Sequence, residues 1–183
     1  MAIVESAEAH LTVERLRLEW RPGTPVPEPD GRLVFRSFRD TRELLDLTTR
    51  ALDGTLDAQP RRPHPTVGPR DRRQTLRGGV RHIHESPRLV AVAKLPDTGE
   101  AVGFVIPARN SYRPVIAYLG VLPEHRGRGR VDAIPAEGTR VLAAQPDVPR
   151  IRAVTDVGNV PMAKAFARLG YVNFERAINM AWD

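Results

Sequence analysis

Where the apolar run VIAYL ends at Leu119, the chain continues as GVLPEHRGRGR, residues 120–130, and arginine alternates with glycine through Arg126, Gly127, Arg128, Gly129 and Arg130. Gly127 and Gly129 permit backbone conformations that other residues rarely adopt, and they let a ligand approach the main chain closely. The stretch follows an apolar strand pattern and precedes a helical one. At such a junction the first N–H groups of the helix have no partner and carry partial positive charge. Three arginines add ionic contacts at the same place. This combination predicts a cradle for a phosphate or pyrophosphate rather than a plain exposed turn. The chain contains neither Gly-x-x-x-x-Gly-Lys-Ser/Thr nor Gly-x-Gly-x-x-Gly, so a nucleoside-triphosphate loop and a nicotinamide fingerprint are excluded.

The elements that must position this loop can be read from periodicity. VIAYLGVL, residues 115–122, is almost wholly apolar and predicts a central strand buried on both faces. VDAIPAEGTRVLAAQ predicts the following helix, with Val131, Ile134, Val141 and Leu142 on one side and Pro135 kinking or delaying it. RIRAVTD, 150–156, is a further strand. In NVPMAKAFARLGY, Asn159 can cap a helix whose first turn tolerates Pro161, whose packing stripe is Met162, Phe166 and Leu169, and whose end Gly170 marks. Upstream, RLVFRSF alternates as a strand, and DTRELLDLTTRALDG predicts a helix capped by Asp40 and closed by Gly54. RLVAVAKL and AVGFVIPA, separated by PDTGE, predict a hairpin, and YVNFERAINMAW closes the chain as one or two strands. The expected class is mixed α/β, a mostly antiparallel sheet with helices on both faces.

RPGTPVPEPDG, residues 21–31, reads as an extended linker, so residues 1–31 are expected to form an N-terminal arm and linker before a domain spanning 32–183. Leu16, Leu18 and Trp20 alternate within that arm, as a strand available for pairing would.

The 183 residues suffice for one domain with a real core, and 41% are hydrophobic. With no cysteine, disulfides, thiol nucleophiles and thiolate metal sites are excluded. No apolar run approaches the ~20 residues of a membrane span, and no signal-peptide order is present, so a cytoplasmic protein is expected. The net charge of +6 is local: residues 60–88 hold eight arginines against Asp71 and Glu85. Only Lys94 and Lys164 are lysines, a bias that fits a GC-rich bacterial genome. Residues 58–70 read as a proline-broken loop, and 71–86 as a helix weakened by Gly78 and Gly79. HIHE, 82–85, puts two histidines on one strand face, but a metal needs a third ligand and none accompanies them, so no metal is expected. His84 and Glu85 are candidates for a base at an amine.

GVLPEHRGRGRV resembles the acyl-CoA pyrophosphate loop of the GNAT superfamily of N-acetyltransferases, Arg/Gln-x-x-Gly-x-Gly/Ala, with Arg126 and Gly129 on the pattern and Val131 where a small residue is usual. NVPMAKAFARLGY resembles the family's second signature through Asn159, Ala163, Phe166, Gly170 and Tyr171. The resemblance implies acetyl-CoA as co-substrate, with its pyrophosphate on the amides of Arg126, Gly127, Arg128, Gly129, Arg130 and Val131. It also implies a pantetheine arm laid along Leu119, Gly120 and Val121, and contacts from Asn159 and Phe166. The main-chain N–H of Leu119 or Val121 would polarise the thioester carbonyl, an effect of roughly 2.7–4 kcal/mol per donor. A neutral amine would then attack directly.

Besides Val131, two positions depart from the family. Phe166 stands where many relatives carry a tyrosine acid, and Val115 where some carry a glutamate base, so neither group is carried over. The implied activity is N-acetylation of a small-molecule amine. Two other readings stay open: a non-catalytic acyl-CoA-binding module, as a homodimer or half of a tandem GNAT pair, and a nucleic-acid-binding domain using the arginine cluster. Against the last, aromatic residues are only 5% of the chain, which offers few stacking partners, and no groove-reading motif occurs. Neither a nucleic acid nor a membrane is expected as a partner.

Overall fold

The computed structural model describes residues 9–57, 90–109 and 113–182. In chain order these form β1 (Ala9–Trp20), β2 (Val34–Ser37), α1 (Thr41–Ala51), β3 (Ala91–Lys94), β4 (Ala101–Arg109) and β5 (Pro114–Val121). After β5 come a 3-10 turn (Pro123–His125), α2 (Ala133–Ala143), β6 (Ile151–Asp156), α3 (Val160–Arg168) and β7 (Val172–Trp182). The expectations for the loop at 58–70, the helix at 71–86, the HIHE histidines and the arginine cluster lie outside the described residues.

The strands make one seven-stranded sheet in the order β2-β3-β4-β5-β6-β1-β7. Every neighbouring pair is antiparallel except β5 and β6, which run parallel and are joined through α2 as a crossover. That pair is registered at a single position, Val115 with Arg152, near the start of both strands. Beyond it the two strands part.

Each face of the sheet buries its own cluster. α1 turns Leu44, Leu47 and Ala51 onto Val92 of β3 and Phe104 and Ile106 of β4. On the other face Ile134 and Leu142 of α2 and Phe166 of α3 pack against Val105, Ile116, Ile151 and Ala153. α2 comes close because residue 138 is glycine; a Cβ there would sit 2.6 Å from Val105 Cγ2. Phe166 meets Tyr171 edge to face at 4.9 Å, and the Tyr171 hydroxyl shares a 2.8 Å hydrogen bond with Thr139. Burial of that phenol pushes its ionisation up.

Three expectations are corrected. Residues 9–20 are not an arm: β1 lies inside the sheet, antiparallel to β6 on one side and to β7 on the other. Both its edges are paired, so the sheet's free edge on this side is β7. β5 is not buried on both faces either. Ala117 is exposed and Tyr118 to Val121 are half-buried, because the apolar residues line an opening rather than a core. Finally, α2 begins at Ala133, which leaves Val131 outside it and puts Pro135 in the first turn, where a missing N–H breaks no helical bond.

α1 is anchored at its start as the sequence predicts. Asp40 is its N-cap and accepts from the Glu43 N–H at 2.8 Å. Glu43 reaches back to the Arg39 N–H at 2.7 Å and is gripped by both terminal nitrogens of Arg36 on β2. The Arg36 guanidinium holds the Glu43 carboxyl down at about 2, against an ordinary 4.5. A carboxyl lowered on folding stabilises fully above its unfolded value and loses that contribution as pH falls through the folded one. Glu43→Gln is therefore expected to destabilise by about 1–3 kcal/mol at neutral pH. In urea denaturation the difference from wild type should shrink steadily between about pH 4.5 and about pH 2.

Candidate functional site

The parting of β5 and β6 opens a cavity of about 400 Å³. It lies beyond the carboxyl ends of two parallel strands, where open sheets place their ligands. β5 leads into the glycine–arginine loop and α2, and β6 leads into α3, so two helix N-termini converge on the opening.

The loop is built for positive φ. Gly127 and Gly129 sit at φ +70° and +67°, and a Cβ at either would meet nothing within 4 Å. Glycine is required there by backbone conformation and not by crowding. The main-chain N–H groups of Gly127 to Val131 donate to no acceptor among the described residues. At the end of the loop the Asp132 carboxylate is bonded by Arg168 at 2.9 Å, which offsets the one acid near the α2 N-terminus.

The three arginines have different surroundings. Arg128 is exposed. Arg130 is half-buried and approaches His125 Nδ1 at 2.8 Å. Arg126 turns back into the fold, donating through Nε to the Val121 carbonyl at 3.0 Å, through Nη1 to Asp53 at 2.6 Å and through Nη2 to Ala51 at 2.8 Å. The last two are carbonyls at the end of α1, so Arg126 caps that helix and ties it to β5. Three of its five donors serve the chain itself.

Leu119, Gly120 and Val121 line the cavity from β5. Gly120 also lets α1 approach, since a Cβ there would lie 2.8 Å from that of Ala51. From α3, Asn159 accepts weakly from the Met162 N–H at 3.4 Å as N-cap. It donates through Nδ2 to Asp57 Oδ1 at 3.1 Å, linking the loop after α1 to the start of α3. Phe166 lines the cavity too, though it is only 1% exposed, so it belongs to the core as much as to the opening.

Three lining residues carry chemistry that the sequence did not single out: Asp57, Tyr118 and His125. Asp57 is the one carboxylate among the described lining residues. Tyr118 projects from β5, and burial, assisted by the negative charge of Asp57, pushes its phenol up to about 12, so it stays protonated at neutral pH. The signal for Tyr118 was a lone phenol within an apolar strand; Asp57 offered none, because it lies in an irregular loop.

The sequence model of the acetyltransferase (GNAT) family matches residues 49–171, and the chain belongs to that family. It is 30% identical over 91 residues to an acetyltransferase of Sodalis glossinidius, an overlap that covers 50% of this chain and 62% of that one. Among solved structures, a GCN5-related N-acetyltransferase from Sphaerobacter thermophilus aligns over 96% of this chain with a TM-score of 0.69 and 18% identity. A tandem GNAT protein from the clavulanic acid biosynthesis pathway aligns over 96% with a TM-score of 0.60 and 17% identity. The chain spans 52% and 54% of those two structures, about half of each, and less than two thirds of the Sodalis relative. The GNAT fold is thus established. Among the described residues no helix is long and apolar enough to cross a membrane.

The division of labour among the arginines is testable. Arg126→Ala is expected to cost about 1.5–3 kcal/mol of stability, the range for a lost hydrogen bond to a charged group, by freeing the end of α1. Arg128→Ala, at an exposed position, should stay within about 0.5 kcal/mol of wild type. Chemical denaturation of the two variants side by side gives the comparison.

Proposed function

We propose that the protein transfers an acetyl group from acetyl-CoA to a small-molecule amine. The observation that carries this reading is the strand parting beyond Val115 and Arg152, which opens a cavity before a glycine–arginine loop whose N–H groups from Gly127 to Val131 are unbonded among the described residues. That loop, residues 126–131, suits a pyrophosphate: the N–H groups of Gly127 to Val131 are available, and Arg128 and Arg130 supply charge. The open edge of β5 along Leu119 to Val121 suits an extended, amide-bearing arm. Asn159 and Phe166 stand on the opposite wall.

Acetyl-CoA supplies the acetyl group as a thioester, so the new C–N bond forms as the C–S bond breaks and the proton shed by the amine balances the departing thiolate. For this the chain provides proximity first. Asp57 is the anionic group of the cavity and suits an incoming ammonium, while Tyr118 holds a proton at neutral pH that it can share with a developing anion. These two supply what Phe166 and Val115 do not.

A second reading is favoured by length. Because the chain spans about half of the solved neighbours, one of them described as tandem, it can serve as an acyl-CoA-binding half that pairs with another GNAT-like domain or with its own copy. β7, the terminal strand of the sheet, keeps Val172, Phe174 and Ile178 exposed for such pairing.

Acetyl-CoA at a hundredfold excess over its dissociation constant should stabilise the fold by about 2.7 kcal/mol, seen as a rise in melting temperature. An absence of any rise at millimolar acetyl-CoA would refute the reading. A panel of primary amines monitored for free thiol then separates the alternatives. Turnover that falls at least tenfold in Tyr118→Phe supports the transferase, whereas binding without thiol release from any amine supports the non-catalytic half.

A further inference from the structure

His125 is 3% exposed, yet its ring lies between charged groups. It ends the 3-10 turn that connects β5 to the glycine–arginine loop. On one side Nδ1 is 2.8 Å from Arg130 Nη1. A guanidinium only donates, so Nδ1 must present its lone pair and the ring is neutral with its hydrogen on Nε2. On the other side Nε2 faces Glu100 Oε1, from the start of β4, at 3.2 Å. Glu124 of the same turn lies close as well, and Arg50 of α1 is bonded to Glu124.

Glu100, Glu124 and His125 offer three ligand atoms within 4.8 Å of one another, which invites a cation. The tautomer argues against one. With Nδ1 occupied by Arg130, Nε2 keeps its hydrogen and has no lone pair for a metal. What the ring holds is Arg130: Nδ1 accepts from its guanidinium, while Nε2, although 3.2 Å from Glu100 Oε1, makes no hydrogen bond among the described residues.

We propose that His125 is a positioning residue for Arg130, fixing that guanidinium at the edge of the loop so that its other donors serve a phosphate-bearing ligand. The inference rests on the acyl-CoA reading above and assigns a role within the same site. A free arginine loses considerable rotamer freedom on gripping a ligand; one already held by a buried acceptor loses less.

Titration calorimetry with CoA and with acetyl-pantetheine, which carries no phosphate, tests this in wild type, His125→Ala, His125→Asn and Arg130→Ala. Asparagine presents an oxygen close to where Nδ1 stands and can accept from Arg130. The expected result is a roughly tenfold loss of CoA affinity in His125→Ala and Arg130→Ala, unchanged acetyl-pantetheine binding, and recovery of most of the loss in His125→Asn. Equal losses for both ligands, or His125→Asn as impaired as His125→Ala, would reduce His125 to packing and overturn the proposal. If His125→Ala fails to fold, His125→Leu, which fills the same space and offers no acceptor, takes its place. Wild type that binds no CoA would overturn the functional reading and this inference together, whereas wild-type binding left intact by His125→Ala would overturn the inference alone.

Discussion

Two parallel strands that meet at one residue pair and then diverge govern the organisation of this molecule. Pairing β5 with β6 along their length would satisfy their main-chain groups and close the sheet. With register only at Val115 and Arg152, the second edge of β5 faces open space instead. That edge keeps a standing demand for hydrogen bonds from water or a bound molecule. The helices after the two strands begin on the same side, so divergence also aims two sets of unsatisfied N–H groups at one volume.

A neighbouring helix end presents the opposite problem. α1 finishes against β5, and its last carbonyls carry partial negative charge beside the loop that is to receive an anion. Arg126 resolves the conflict by taking the carbonyls of Ala51, Asp53 and Val121. The negative end of α1 is thereby neutralised, and the amides of Gly127 to Val131 are left for a ligand. Arg168 acts similarly on Asp132 at the head of α2. Two arginines are thus spent on quieting local negative charge before any ligand arrives.

Much of this was legible in the sequence, and the gaps have physical causes. Asp40 and Asn159 announced their helices because cap chemistry is local, and Gly127 and Gly129 announced the loop because positive φ is a property of single residues. The fate of Arg126 was not legible: Ala51 and Asp53, two of its three partners, are more than 70 residues away, and Arg-Gly alternation does not say which way a guanidinium turns. VIAYLGVL misled in an instructive way, since an apolar run fits a strand facing a ligand cavity as well as one buried on both faces. The proline-rich stretch before Leu33 made residues 9–20 look detached, although Leu16, Leu18 and Trp20 already showed strand alternation. Asp57 and Tyr118 become a pair only through tertiary placement.

The insertion of β1 between β6 and β7 bears on how the chain is made as well as how it stands. Its partners are residues 151–156 and 172–182, so one edge of β1 must wait for β6 and the other for β7, more than 130 residues later in each case. During translation at about 5–20 residues per second, the hairpin of β3 and β4 can assemble early while β1 stays unpaired. Closing the sheet is then a late, high-contact-order event that depends on β6, α3 and β7 emerging. Interrupting synthesis before β7 would leave the β7-facing edge of β1 unpaired, the kind of exposed edge on which nascent chains aggregate.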